Sequence, residues 1–158
     1  MSITTYVPVA HEQATALRGG DDLGTLVAFA PGATLREAHG LGPADDEEAG
    51  FVALGYAGLA ALLARPGLRT VLAVDVGADQ VQGGGSEFGE VEVSDLRWAQ
   101  VAAVFADEPG AAPDLEAART QAGGRVLADV AEDEEVVALV DRWDLLWYAP
   151  EELDASRG

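Results

Sequence analysis

The segment Asp45–Val76, DDEEAGFVALGYAGLAALLARPGLRTVLAVDV, decides the fold. Its first half predicts a helix from Asp45 or Asp46 to about Ala64, because Phe51, Leu54, Leu59, Leu62 and Leu63 recur near helical spacing as one apolar stripe. Asp45, Asp46, Glu47 and Glu48 stand at its N-terminus, where the helix dipole favours negative charge. Arg65 closes the last turn, and Pro66-Gly67 stops the chain from continuing. Gly55, Gly58 and the neighbouring alanines make this helix thin, which suits close approach to a sheet. Each glycine weakens the isolated helix by about 1 kcal/mol relative to Ala, so its helicity depends on tertiary packing. The second half, Arg69–Val76, is an almost unbroken apolar run, as expected of a central strand covered on both faces.

Working outward, Ile3–Ala10 reads as a first strand, with Pro8 arguing for an edge or strand-end position. His11–Leu17 is a short helix and Thr25–Ala30 a second strand. Thr34 is the expected cap of a helix over Leu35–His39, with Glu37 as its capping-box partner. After the connector Gly83–Ser86, Phe88–Leu96 alternates as a half-exposed strand, and Gln100–Ala106 is another apolar strand. Asp114 is placed as the cap of a helix to Ala122, Arg125–Val140 is helical in part, and Leu145–Tyr148 is a short aromatic strand. This order predicts an α+β fold: a single layer of mixed sheet, five- or six-stranded, packed with helices. Residues 1–150 form one domain and residues 151–158 a polar C-terminal tail.

The chain carries a formal net charge of −19, with nine Arg and no Lys. Such a field repels nucleic acid and anionic membranes and favours a basic protein partner. The missing Lys removes P-loop and Schiff-base chemistry, and the missing Cys removes thiolate nucleophiles and thiolate metal sites. Arg without Lys, and the absence of Asn, match a GC-rich genome. The N-terminus lacks the basic cluster and apolar core of a signal peptide, and Phe51–Ala64 is shorter than the roughly 18 apolar residues of a spanning helix. The expectation is a cytoplasmic protein.

No catalytic constellation, metal site or cofactor motif emerges. Asp45–Glu48 and Glu132–Glu135 read as solvated helix starts, since consecutive carboxylates point apart and no EF-hand spacing accompanies them. Ser86 lacks the closing glycine of a nucleophile elbow. Gly83-Gly84-Gly85 leads into a strand where a dinucleotide fingerprint needs a helix. Two candidate surfaces are left. Arg36, Glu37 and His39 form a polar group beside glycine-rich turns. Arg142, Trp143, Trp147 and Tyr148 form an aromatic cluster with an Arg, the composition enriched at interfaces.

Three functions follow. The first is a non-catalytic acidic interaction or regulatory domain. The second is a small-molecule-binding or enzymatic domain using Arg36, Glu37 and His39. The third, an acidic mimic of nucleic acid, would need carboxylates arrayed on one face.

The chain also resembles a family of uncharacterised small acidic actinobacterial proteins. The matching pieces are Tyr6-Val7-Pro8, Leu26–Phe29, Leu35-Arg36-Glu37-Ala38, the acidic start of the long helix, Val101-Ala102-Ala103-Val104, and Leu145-Leu146-Trp147-Tyr148 with Glu152-Leu153. The resemblance implies one domain of bacterial origin and carries no activity with it.

Overall fold

The computed structural model describes residues 2–157. Seven strands, β1 (Ser2–Val9), β2 (Leu26–Phe29), β3 (Thr70–Gly77), β4 (Val81–Gly83), β5 (Glu90–Val93), β6 (Val101–Ala106) and β7 (Leu146–Tyr148), make one sheet in the order β4-β5-β2-β1-β3-β6-β7. The α+β class holds, but the sheet has seven strands rather than five or six, and every pair is antiparallel rather than mixed. The strand missing from the sequence reading is β4, whose three residues are too few for alternation to show.

The long β1–β3 ladder, from Ser2↔Gly77 to Val9↔Thr70, is the spine of the sheet. β1 is therefore interior, so of the two positions expected for Pro8, edge or strand end, the second holds: Pro8 is the next-to-last residue of β1. Its ladder with β3 runs unbroken through Pro8↔Val71, whereas its pairing with β2 is confined to Tyr6↔Phe29. The N–H that proline lacks is absorbed on this thinly paired side, one residue from the strand end.

The helices are α1 (His11–Arg18), α2 (Ala33–Ala38), α3 (Asp46–Ala64), α4 (Ala112–Ala122), α5 (Leu127–Val130) and α6 (Glu134–Asp141). β2 and β3 both run antiparallel to β1, so the connection carrying α2 and α3 crosses over β1. On that sheet face Ala49, Ala53, Ala57 and Ala61 of α3 pack with Phe29, Leu35 and Val71. Four-residue spacing puts these alanines on one line of the helix. The line comes so close that a methyl on Gly50 would lie 3.0 Å from Tyr6 Oη. Leu59 and Leu62 point sideways instead, into a second cluster with Leu115, Ala118, Val136 and Val140 of α4 and α6. Phe51 is two residues from both Ala49 and Ala53, so at about 100° per residue it lies across the helix from the sheet. It is 72% exposed, not part of the buried stripe expected for it.

By length and composition α3, at 19 residues, would pass as a membrane span, although the apolar run Phe51–Ala64 on its own is too short for one. Here its alanine face is the lid of the sheet. The opposite sheet face is covered by Ala14 and Leu17 of α1 and by Leu153, packed on Val7, Val74 and Val104. The stretch expected as a polar tail thus carries a fully buried leucine, and Arg18 fastens it through Asp154 at 3.0 Å.

Two caps differ from expectation, and a third helix start gains a defined cap. Gly32, not Thr34, precedes α2, and Thr34 lies inside its first turn. α4 starts at Ala112, two residues before Asp114, whose carboxylate is used elsewhere. Asp133 caps α6 by accepting from the amides of Glu135 and Val136. One glycine is indispensable to the sheet. Gly89, at φ +76°, brings its backbone against Ala30, and a Cβ there would collide with the Ala30 carbonyl.

Candidate functional site

Arg36 and His39 do not converge. Arg36 donates from Nε to the Pro31 carbonyl (2.8 Å), from Nη1 to the Gly42 carbonyl (3.1 Å) and from Nη2 to Asp46 Oδ1 (2.8 Å). Its guanidinium ties the two ends of the α2 loop to the first turn of α3. His39 turns the other way and shares a hydrogen bond of 2.9 Å with the Tyr56 hydroxyl. Tyr56 stacks edge-on against Phe88. Burial, and next the negative charge of Glu87, raise the Tyr56 pKa above its ordinary 10.0. Glu37 is exposed on the rim of a shallow depression shared with Arg36, Leu41, Pro43 and Asp46.

The aromatic cluster divides. Tyr148 is half-buried, packed against the α1-side core. Trp147 pairs with Phe105 across the β6–β7 ladder and is 61% exposed on the α3 side of an edge strand. Trp143, in the α6–β7 connection, donates from Nε1 to Asp114 Oδ2 at 2.8 Å. Arg142 reaches the same oxygen at 3.6 Å from an exposed position.

Between α3 and this connection runs a groove of about 230 Å³, walled by Phe51, Leu54, Trp143 and Leu145, with Asp141 and Asp144 among its lining residues. It continues through Gly55, Val140 and Asp141 into a second apolar hollow lined by Val52, Tyr56 and Val137.

The floor of the groove holds what the sequence did not reveal. Arg69, immediately before β3, and Asp107, immediately after β6, are 4% and 1% exposed. Nε and Nη2 of Arg69 donate to the Asp107 carboxylate at 2.8 and 2.7 Å, and Nη2 also donates to the Trp143 carbonyl at 3.1 Å. Arg119 lies near this pair, donating to the carbonyls of Leu62 (2.8 Å) and Gly67 (2.6 Å). Burial, and then the positive charge of Arg69, lower its pKa below the ordinary guanidinium value. Adjacency in the sheet makes the Arg69–Asp107 contact. Its sequence signal was a charged residue at the end of each of two apolar runs.

Among the described residues, no group of three or more His, Asp or Glu side chains is placed to hold a metal ion. The arrangement defines a class: an α+β protein with an open antiparallel sheet and an acidic, aromatic-walled groove above a buried ion pair. Residues 3–155 match a family of unknown function, DUF6912, and the chain belongs to that family. No curated protein and no solved structure matches it.

Proposed function

We propose that this protein is a non-catalytic acidic interaction module whose α3/α6–β7 groove receives a basic segment of a partner protein. The observation that carries this reading is Phe51, a large aromatic left 72% exposed on a groove lined also by Trp143, Asp141 and Asp144. Exposed aromatics packed around a cleft are typical interface anchors, and their faces attract cations. The charge of −19 favours a cationic partner and disfavours a second copy of the same chain. Arg36, already committed to three acceptors, gives the small-molecule reading no comparable support. A cytoplasmic location in a GC-rich actinobacterium belongs to the same proposal, supported by an Arg-only, Cys-free composition.

The test is fluorescence anisotropy with labelled Arg/Leu and Glu/Leu peptides at low and high salt. Saturable binding of the basic peptides, weakened by salt as surface charges are screened, is expected. The proposal fails if no basic peptide binds or if the acidic peptides bind equally well.

A further inference from the structure

Resting on the groove as the docking site, we propose that Arg69 is its recognition donor. Its Nη1 gives a hydrogen bond to a main-chain carbonyl oxygen of the bound segment, while a cationic side chain of that segment meets Asp141 and Asp144.

The donor set points there. Nε and Nη2 are spent on Asp107 and on the Trp143 carbonyl, but Nη1 has no acceptor among the described residues. Arg69 is 4% exposed, and it still lines the groove. Nη1 is not among the buried unpartnered side-chain atoms, so it opens onto the groove, and a ligand carbonyl that displaces water from it keeps the donor paired as the groove closes over the segment. The helix above leaves room. A Cβ on Gly58 would sit 3.1 Å from Nη1 and 3.4 Å from Leu145 Cδ1, so the missing side chain keeps the donor reachable.

The kind of acceptor follows from charge. Asp107 already neutralises the guanidinium at 2.7 Å, and Asp141 and Asp144 add negative charge, so a carboxylate would be repelled. A neutral carbonyl would not be. The apolar walls, the uncharged acceptor and the acidic lining together describe a peptide with alternating basic and aliphatic residues. The continuation past Gly55 toward Val52 and Tyr56 gives such a segment room for more than one residue.

The probe is acetyl-(Arg-Leu)3-amide, titrated into the full chain by calorimetry. Gly58→Ala is expected to weaken binding about tenfold or more, equivalent to about 1.4 kcal/mol per tenfold. Asp141→Asn with Asp144→Asn should weaken it comparably. Asp21→Asn with Asp22→Asn, the same charge change elsewhere, should leave it within twofold. Binding by Gly58→Ala within twofold of the parent would overturn the role of Arg69 while leaving basic-peptide binding intact. An equal loss in the remote pair would show a diffuse field instead of a site, and absence of binding to the parent would remove this proposal and the docking role together. Should Gly58→Ala fail to fold, the ¹⁵N resonance of Arg69 Nη1 in the unmodified protein decides. It shifts in step with peptide saturation if Arg69 is the donor, and a stationary signal contradicts the proposal.

Discussion

Asp107 holds Arg69 by both side chain and backbone: its Oδ2 accepts from the Arg69 amide at 2.7 Å and from Nε at 2.8 Å, its Oδ1 accepts from Nη2 at 2.7 Å, and its own amide donates back to the Arg69 carbonyl at 3.2 Å. The pair locks the start of β3 to the end of β6. Because both ions are out of water, removing one leaves the other uncompensated. Asp107→Ala should therefore cost about 3–5 kcal/mol in urea denaturation, whereas Arg69→Met with Asp107→Leu should cost far less. A loss below about 1 kcal/mol for the single variant would show the pair to be energetically idle.

Gly55 and Gly58 lie one turn apart on α3, and their substitutions should diverge. Nothing lies within 4 Å of a Cβ on Gly55, so Gly55→Ala should raise stability by about 0.5–1 kcal/mol. At Gly58 the added methyl meets the locked Arg69 guanidinium at 3.1 Å, and the helical gain should vanish. Melting curves read the difference, since 1 kcal/mol moves Tm by roughly 2–4 °C at this size.

The indole of Trp143 depends on Asp114. Asp114→Ala leaves a half-buried N–H unpaired and should cost about 1–3 kcal/mol. Arg142→Ala, cutting a long and exposed contact to the same carboxylate, should change stability by less than about 0.5 kcal/mol. Equal effects in the two variants would contradict this assignment.

Exposed rings should matter for binding and little for folding. Phe51→Ala and Trp147→Ala should each leave stability within about 0.5 kcal/mol, because neither ring is buried. If Phe51→Ala unfolds the protein, the outward placement of that ring is wrong.

Acid should loosen two points of the fold. Asp133 has its pKa held below 3.8, first by the hydrogen bond from Arg125 and then by the α6 amides. A depressed carboxyl stabilises the fold above the unfolded value, and that contribution disappears as pH falls through the folded one. His11 has its pKa lowered from 6.5 by burial, and next by the charge of Arg157, with Arg18 acting in the same sense against Glu12 and Asp154. Folding favours its neutral form, so stability should decline as pH drops below 6.5 and level off beneath the folded value. NMR titration should place the His11 midpoint below 6.5, and a higher midpoint would reverse the sign of this effect.

Much of the sheet was legible because β3, β5 and β6 carry their burial in their apolar patterns. The long helix was legible in extent and misread in orientation. Hydropathy assigns the largest side chains to the core, but close approach to β1 selected the alanine line and left Phe51 outside. Aromatic density pointed to Trp143 and Trp147. Asp114, 29 residues from Trp143, and the Arg69–Asp107 pair, 38 residues apart, are made by strand and helix neighbours that no local pattern encodes.

The most direct test is an amide and indole NMR map of the protein titrated with acetyl-(Arg-Leu)3-amide at low salt. The docking account predicts the largest shifts at Phe51, Gly55, Gly58, Leu145 and the Trp143 indole, around the Arg69 floor. Shifts spread evenly over the acidic surface, or centred on Asp21 and Asp22, would contradict it.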